Sequence, residues 1–498
     1  MTARHRIGIL GAGFGGLGMA IKLKQAGIDD FVIWERDGDV GGTWWANTYP
    51  GCQCDIPSHL YSYSFAPNPN WSRTYPLQPE LKEYLRECTE RYSLRDHIHV
   101  SCEVESAEWD EKEGIWRLET PAGPFAVELL IAAPGFLSEP ATPSLPGIDD
   151  FEGETFHTAR WNHDHDLHGR RVAVVGTGAS AIQTVPQIQP IVEHLDVFQR
   201  TPPWVMPHRD RPITEIERRV YRRFPALQRI ARSFVYWSRE MLVPGFVRNP
   251  RLMKLPQRMA RRHLEKQVPD PVLRARLMPS YSFGCKRVLP SNEWYPALMQ
   301  PNVDVVTERI ESVAPNGIVT ADGELHEVDT IVFATGFYVT DVRFAKIVRG
   351  RDGALMSDVW NGSPQAYRGT AVAGFPNLFI ITGPNTGLGH NSLVYMIEAQ
   401  IDYLMDALRL IDQRGATRVE VRPDAQDAYN ADLQSRMDRT VWNSGGCSSW
   451  YIDANGKNTT IWPDYTWRFR RQTQSFDAAA YELTAEPAHD ERDLVTSA

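Results

Sequence analysis

The 498-residue chain lacks any uninterrupted apolar run of about 18 residues, so no segment reads as a membrane-spanning helix. A leader-like start is also missing. The first apolar stretch, Ile7 to Leu10, runs straight into a glycine turn, and no signal peptide is expected. Cysteine is scarce. Cys52, Cys54, Cys88, Cys102, Cys285 and Cys447 form no CxxC pair, which argues against a zinc site or dithiol motif and predicts reduced thiols in the cytoplasm. Acidic side chains are nearly absent from residues 217–276, which hold 16 Lys/Arg against 4 Asp/Glu. That segment carries +12 in a chain of net charge −9, leaving −21 for the remainder. It contains no recognisable nucleic-acid-reading element, so no nucleic-acid partner is expected. The hydrophobic content of 42% is ordinary for a globular chain, and the length suits roughly two to four domains.

What is present is one unit used twice. Arg6-Ile7-Gly8-Ile9-Leu10 leads into Gly11-Ala12-Gly13-Phe14-Gly15-Gly16, and a second strand, Phe31-Val32-Ile33-Trp34, ends at Glu35. Arg171-Val172-Ala173-Val174-Val175 leads into Gly176-Thr177-Gly178-Ala179-Ser180-Ala181, and Leu195-Asp196-Val197-Phe198 ends at Gln199-Arg200. Strand, glycine turn, helix, strand is the unit that holds a dinucleotide pyrophosphate on a helix N-terminus. Glu35 and Arg200 each follow the first glycine of their turn by 24 residues. An acid there accepts hydrogen bonds from ribose hydroxyls, whereas a guanidinium matches a 2′-phosphate. The first unit suits FAD or NAD and the second suits NADP. The predicted class is α/β, with two Rossmann-like dinucleotide-binding domains and an inserted helical subdomain.

Between and beyond these units the pattern is coarser. Residues 40–55 are rich in Gly, Trp and Tyr, and Trp44 and Trp45 read as contacts for a flat ligand. An amphipathic helix is predicted over 80–92, and strand-like segments at 98–100, 116–118 and 127–131 predict a small antiparallel sheet. Linkers are read at 133–147 and 334–338. Residues 211–280 read as helical; Ile216, Val220, Leu227, Phe234 and Met241 recur near helical spacing with Arg on the other faces. Its ordinary reading is a solvated basic face, with peripheral membrane contact as the alternative. Strands are predicted at 303–306, 329–333 and 377–381, and a long helix from about 392 to 414. The predicted parts are a first dinucleotide-binding domain, for FAD or NAD, over 1–140 and 341–475, an NADP-binding domain over 148–210 and 281–340, the helical insertion at 211–280, and a polar, disordered tail at 476–498. The His-rich loop 162–168 has no supporting ligand cluster, and no metal is assigned. His390 sits in a glycine-rich turn before a helix and reads as a packing residue rather than as a base.

Three stretches together resemble the single-component, flavin-dependent Baeyer–Villiger monooxygenases. Phe151-x-Gly153-x-x-x-His157-x-x-x-Trp161 is similar to the family fingerprint, departing at Asn162, where Pro or Asp is usual. Gly41-Gly42-x-Trp44 through Tyr49-Pro50-Gly51-x-x-x-Asp55 matches the other motif at each defined position. Cys285-Lys286-Arg287 resembles the site of the family's active arginine. The resemblance, spanning about 5–470, implies that Gly11, Gly13, Gly16 and Glu35 hold FAD, and that Thr43, Trp44, Asp55 and Tyr61 line the flavin. It assigns Gly176, Thr177, Gly178, Ser180, Gln183, Arg200, Thr201, Lys286 and Trp450 to NADP. It further implies an enzyme in which NADPH reduces the flavin, O2 adds to give a C4a-peroxyflavin, and a ketone or other hydrophobic carbonyl becomes an ester or lactone. Arg287 would stabilise the anionic species and Asp55 would orient Arg287. The alternatives are an N- or S-oxygenating flavin monooxygenase, kept open by the departure at Asn162, and a non-oxygenating NADPH oxidase or reductase.

Overall fold

Parallel strands buried on both faces read as continuous apolar runs, and two sheets of this kind organise the molecule. The computed structural model describes residues 2–485. In the larger sheet Ala3–Leu10 lies between Phe31–Trp34 and Phe125–Ala132, all parallel, with Ile7 opposite Phe31 and Ile9 opposite Ile131. Ile98–His99 extends the sheet beyond Phe31–Trp34, and Leu378–Ile380 joins Phe125–Ala132, again in parallel. Side chains alternate between two cores. Ile7, Ile9 and Ile131 pack with Leu17, Ile21 and Ile401, whereas Leu10, Val32 and Trp34 pack with Trp116 and Phe375. Each such buried side chain contributes about 1.5–3 kcal/mol. The 22-residue Leu393–Arg414 helix closes the first core against Phe14–Gln25.

The second sheet has five strands, all parallel, in the order Val303–Val306, His194–Phe198, Arg171–Val175, Thr330–Phe333 and Glu154–His157. Residues 211–280 fold as helices, including Glu215–Arg223, Pro225–Glu240, Lys254–Gln267 and Pro271–Arg276. A Thr214/Glu217 capping box starts the first of them. The two linker segments lie side by side. Ala141 N–H donates to the Gly336 carbonyl, and Tyr338 N–H to that of Glu139, both at 2.9 Å. No helix among the described residues is long and apolar enough to cross a membrane.

Four expectations need correction. The small sheet is antiparallel only where Ser106–Asp110, Ile115–Glu119 and the start of Phe125–Ala132 pair; Ile98–His99 sits at the opposite edge and runs parallel. Part of the expected tail is structured: Phe476 is buried and Tyr481–Thr484 pairs with Arg418–Val421, while residues 486–498 lie outside the described residues. Cys285 and Cys447 form a disulfide, 162 residues apart in sequence, so not all thiols are free; Cys52, Cys54, Cys88 and Cys102 are free and buried. Local spacing rules do not see such a pair. Finally, the exposed side of the 225–240 helix is not the basic face of the ordinary reading: Ile230 and Phe234 stand outward while Arg232 turns in to the His59 and Ser62 carbonyls.

Candidate active site

Both glycine turns are built so that the following helix starts against the end of its strand. A Cβ on Gly16 would lie 1.9 Å from the Gly11 carbonyl oxygen, and one on Gly176, at φ +116°, would lie 2.5 Å from that of Ala334. Only glycine fits, and the closeness brings free helix-start N–H groups to the strand end. Glu35 is buried there, accepting from Ala12 N–H at 2.7 Å and Asp37 N–H at 2.9 Å; burial pushes its carboxyl pKa up despite these bonds. At the second turn the space where a Gly178 Cβ would stand is open, and Thr177 donates to the Thr201 carbonyl at 3.1 Å. Arg200 is exposed. Lys286 is half-buried and its pKa is lowered, first by burial and then by the charge of Arg200, so two cations share one neighbourhood. That arrangement fits a phosphate.

The Gly-rich loop crosses between the domains. Thr43–Ala46 forms one helical turn, in which Trp44 is buried with its ring edge on Tyr61 at 5.6 Å, and Trp45 lies under the Lys82 ammonium at 3.9 Å. Gln183 holds this loop. Its amide oxygen accepts from Tyr49 OH at 2.9 Å and Gln53 N–H at 3.2 Å, and its nitrogen donates to the Gln53 carbonyl at 2.9 Å. The structure thus gives the Gln183 amide to the loop of the first domain.

Asp55 and Arg287, 232 residues apart, meet in a two-point pair. Arg287 Nε donates to Asp55 Oδ2 and Nη2 to Oδ1, each at 2.6 Å, and Nη1 donates to the Leu388 carbonyl at 3.2 Å. Burial opposes charge on both groups, but their mutual attraction outweighs it, holding Asp55 below the usual carboxylate range and raising Arg287 further. The result is a guanidinium of fixed orientation that stays protonated. Beside it Tyr451 is fully buried; its hydroxyl has no protein partner, feels the charges of Arg287 and Asp55, and is pushed up to about 12 by burial. The disulfide ties the residue-447 loop to the segment carrying Lys286 and Arg287. Trp450 stays on the rim, 44% exposed, with its ring 4.3 Å from that of Tyr451.

The fingerprint residues sit by the linkers rather than at this pair. His157 is buried, its Nδ1 accepts from Ala159 N–H at 3.0 Å, and its ring meets Phe337 edge-on at 5.7 Å. Burial lowers its pKa to about 4. Asn162 donates to Glu154 at 2.9 Å. The loop histidines 163, 165 and 168 bond to three different partners, Thr48, Thr330 and Asp166. Among the described residues, His194, Asp196 and Asp304 form the group that could hold a metal, and it lies outside the loop considered from sequence.

Known proteins share this architecture and sequence. A family profile described as pyridine nucleotide-disulphide oxidoreductase matches residues 8–233. A Baeyer–Villiger monooxygenase of Pseudomonas aeruginosa is 51% identical over 98% of this chain and 93% of its own. The chain belongs to the Baeyer–Villiger monooxygenase family. A closed crystal structure of cyclohexanone monooxygenase superposes with a TM-score of 0.87 at 30% identity, covering 98% of this chain and all of that one. The structure titled OTEMO complex with FAD and NADP gives 0.87 at 27% identity, over 97% and 100%.

Within this Baeyer–Villiger fold, two features of the site escaped sequence reasoning. Tyr451 was visible only as a neighbour of Trp450, and its orphan hydroxyl depends on burial that no local pattern reports. Glu240 was unremarkable in the basic segment, yet it accepts from Asn391 at 2.7 Å and lies 3.3 Å from His390, next to the Leu388 carbonyl that anchors Arg287.

Proposed function

We propose that this chain is an FAD-dependent, NADPH-consuming monooxygenase that converts a ketone, O2, NADPH and a proton to an ester or lactone, water and NADP+. The observation that carries this reading is the buried Arg287–Asp55 pair, in a chain that also carries two glycine turns of different charge preference. Bound reduced FAD and O2 supply the oxidant, with electrons from NADPH. Gly11, Gly13, Gly16 and Glu35 would hold the FAD pyrophosphate and ribose, and Thr43, Trp44, Asp55 and Tyr61 would line its ring. Gly176, Thr177, Gly178, Ser180, Arg200, Thr201 and Lys286 would hold NADP, with Trp450 at the rim; Gln183 would act through the 49–53 loop. When a carbonyl is attacked, negative charge builds on its oxygen. Arg287 meets that charge already oriented by Asp55, and a preorganised donor of this kind contributes about 3–4 kcal/mol to the step.

This reading assigns residues 1–140 and 341–475 to the FAD domain, and 148–210 and 281–340 to the NADP domain, with the two paired linkers as the place where they pivot. A cytoplasmic setting, with its NADPH supply, belongs to the same proposal. The tryptophans at the two ends of the 442–450 segment favour a hydrophobic carbonyl substrate. The heteroatom-oxygenating alternative is supported by Asn162 alone, and that side chain bonds to Glu154 rather than to the pair. The test is NADPH consumption by the flavin-loaded protein with a panel of ketones and a thioether, products followed by mass. Ketone-stimulated consumption with gain of one oxygen is expected. Oxidation of the thioether alone would establish the heteroatom reading, and peroxide as sole product would establish an oxidase.

A further inference from the structure

The Pro225–Glu240 helix is built inside out. Its buried side is polar: Gln228, Arg232, Tyr236 and Glu240, four residues apart, share one face. Each has a partner within. Gln228 donates to the Asn68 carbonyl at 2.7 Å, Arg232 to those of His59 and Ser62 at 2.9 and 2.7 Å, and Tyr236 meets Thr466 at 3.0 Å. Glu240 accepts from Thr466 Oγ1 at 2.7 Å and from Asn391. The opposite side holds Leu227, Ile230, Phe234 and Trp237, continued by Met241 just past the helix end, exposed by 44%, 63%, 76%, 54% and 75%. A helix at a water-facing surface carries the reverse pattern, and a contiguous apolar stripe of this size marks a contact surface.

The neighbouring Glu215–Arg223 helix packs against it and exposes Ile216 at 72%, together with Arg219, Arg222 and Arg223. The Pro225–Glu240 helix, and all of the other but Glu215 and Ile216, belong to the segment of charge +12 in a chain otherwise at −21. We infer that this face docks on an anionic lipid surface, with the Pro225–Glu240 helix lying in the interfacial plane. An apolar stripe flanked by arginines fits acyl chains beneath negative headgroups. Two copies of the same face would set like charges against each other, so charge complementarity selects the lipid. The helix is 16 residues long, about 24 Å, and lies along the surface rather than across a bilayer. The inference rests on this surface alone and is independent of the reaction proposed above.

The test uses the full, FAD-loaded chain mixed with phosphatidylcholine vesicles, with or without about 30 mol% phosphatidylglycerol, and sedimented. Binding is expected to the anionic vesicles, weakened about tenfold or more when salt is raised from low to about 0.5 M. The double variant Ile230→Glu/Phe234→Glu should lose at least about tenfold in binding while keeping its melting temperature, since both side chains are mostly exposed. No binding to either vesicle overturns the inference, as does undiminished binding by the variant. Equal binding to both vesicle types overturns the charge argument. Concentration-dependent dimers without lipid, abolished by the same substitutions, would assign the face to a second copy instead.

Discussion

Replacing Arg287 with Ala separates the two halves of the proposed cycle. Arg287 makes two 2.6 Å bonds to Asp55, and the two side chains are 27% and 17% exposed. Breaking a fully buried ion pair by removing one partner costs about 3–5 kcal/mol; with this residual solvent contact about 2–3 kcal/mol is expected here. Asp55, without its main cation, keeps the burial that opposes its charge against only the weaker pull of Arg239 and a backbone N–H, so its carboxyl pKa shifts upward. The folded protein therefore survives with lower stability. Its chemistry changes more. Loss of about 3–4 kcal/mol of charge stabilisation predicts a fall in ketone oxidation of roughly 10²–10³-fold. Flavin reduction by NADPH, which needs no oxyanion stabilisation, should stay within about threefold.

Stopped-flow bleaching of the flavin and product mass, run on one preparation, measure the two separately. Arg287→Lys keeps a charge without the fork that matches a carboxylate, and should fall between. Because Asp55 acts through Arg287, the double variant Asp55→Ala/Arg287→Ala should be no slower in ketone oxidation than Arg287→Ala alone. Ketone turnover within about tenfold of the parent in Arg287→Ala would refute the assignment. So would flavin reduction that drops in step with product.

Three further outcomes follow from other parts of the structure. Arg200→Ala should raise KM for NADPH about 10–100-fold, the worth of a charge-assisted contact, and leave KM for NADH unchanged; equal effects on both would dismiss the phosphate role. Reducing the Cys285–Cys447 disulfide should lower the melting temperature, since severing such a tie typically costs about 2–5 kcal/mol, and Cys447→Ser should match it and ignore further reductant. An unchanged melting temperature in reductant contradicts this. His157, its pKa lowered from 6.5 to about 4 by burial, must stay neutral in the fold; its contribution is present above pH 6.5 and is lost as pH falls toward 4, by up to about 3 kcal/mol. His59, also near 4, adds a loss of the same sign, so His157→Asn should show a shallower acid decline in denaturant titrations than the parent, not a flat one. An identical decline refutes the assignment to His157.

The sequence exposes what is local and hides what is brought together. The two glycine turns were readable because strand, turn, helix and second strand fall within about 25 residues, and each turn's steric need is met by its own neighbours. Asp55 and Arg287 were different. Singly, one is a turn residue and the other a plausible surface cation; only the matched motifs around them indicated that residues 232 apart would meet. The Cys285–Cys447 bond and the Gln183 clamp on the 49–53 loop had no such motif, and neither contact was readable from spacing.

The Pro225–Glu240 helix shows why periodicity alone could not do better. Spacing establishes which residues share a face and says nothing about which face is inside. Here two stripes compete: Leu227, Ile230, Phe234 and Trp237 on one side, Gln228, Arg232, Tyr236 and Glu240 on the other. Area burial alone would favour turning the first inward. The second wins because its groups find ready partners: the carbonyls of His59 and Ser62 for Arg232, and Thr466 with Asn391 for Glu240. Left in an interior without Arg232, those carbonyls would each cost about 1–3 kcal/mol. That is comparable to the gain from burying one of the exposed apolar side chains. The polar network thus decides the helix's orientation, and the outward stripe is its consequence.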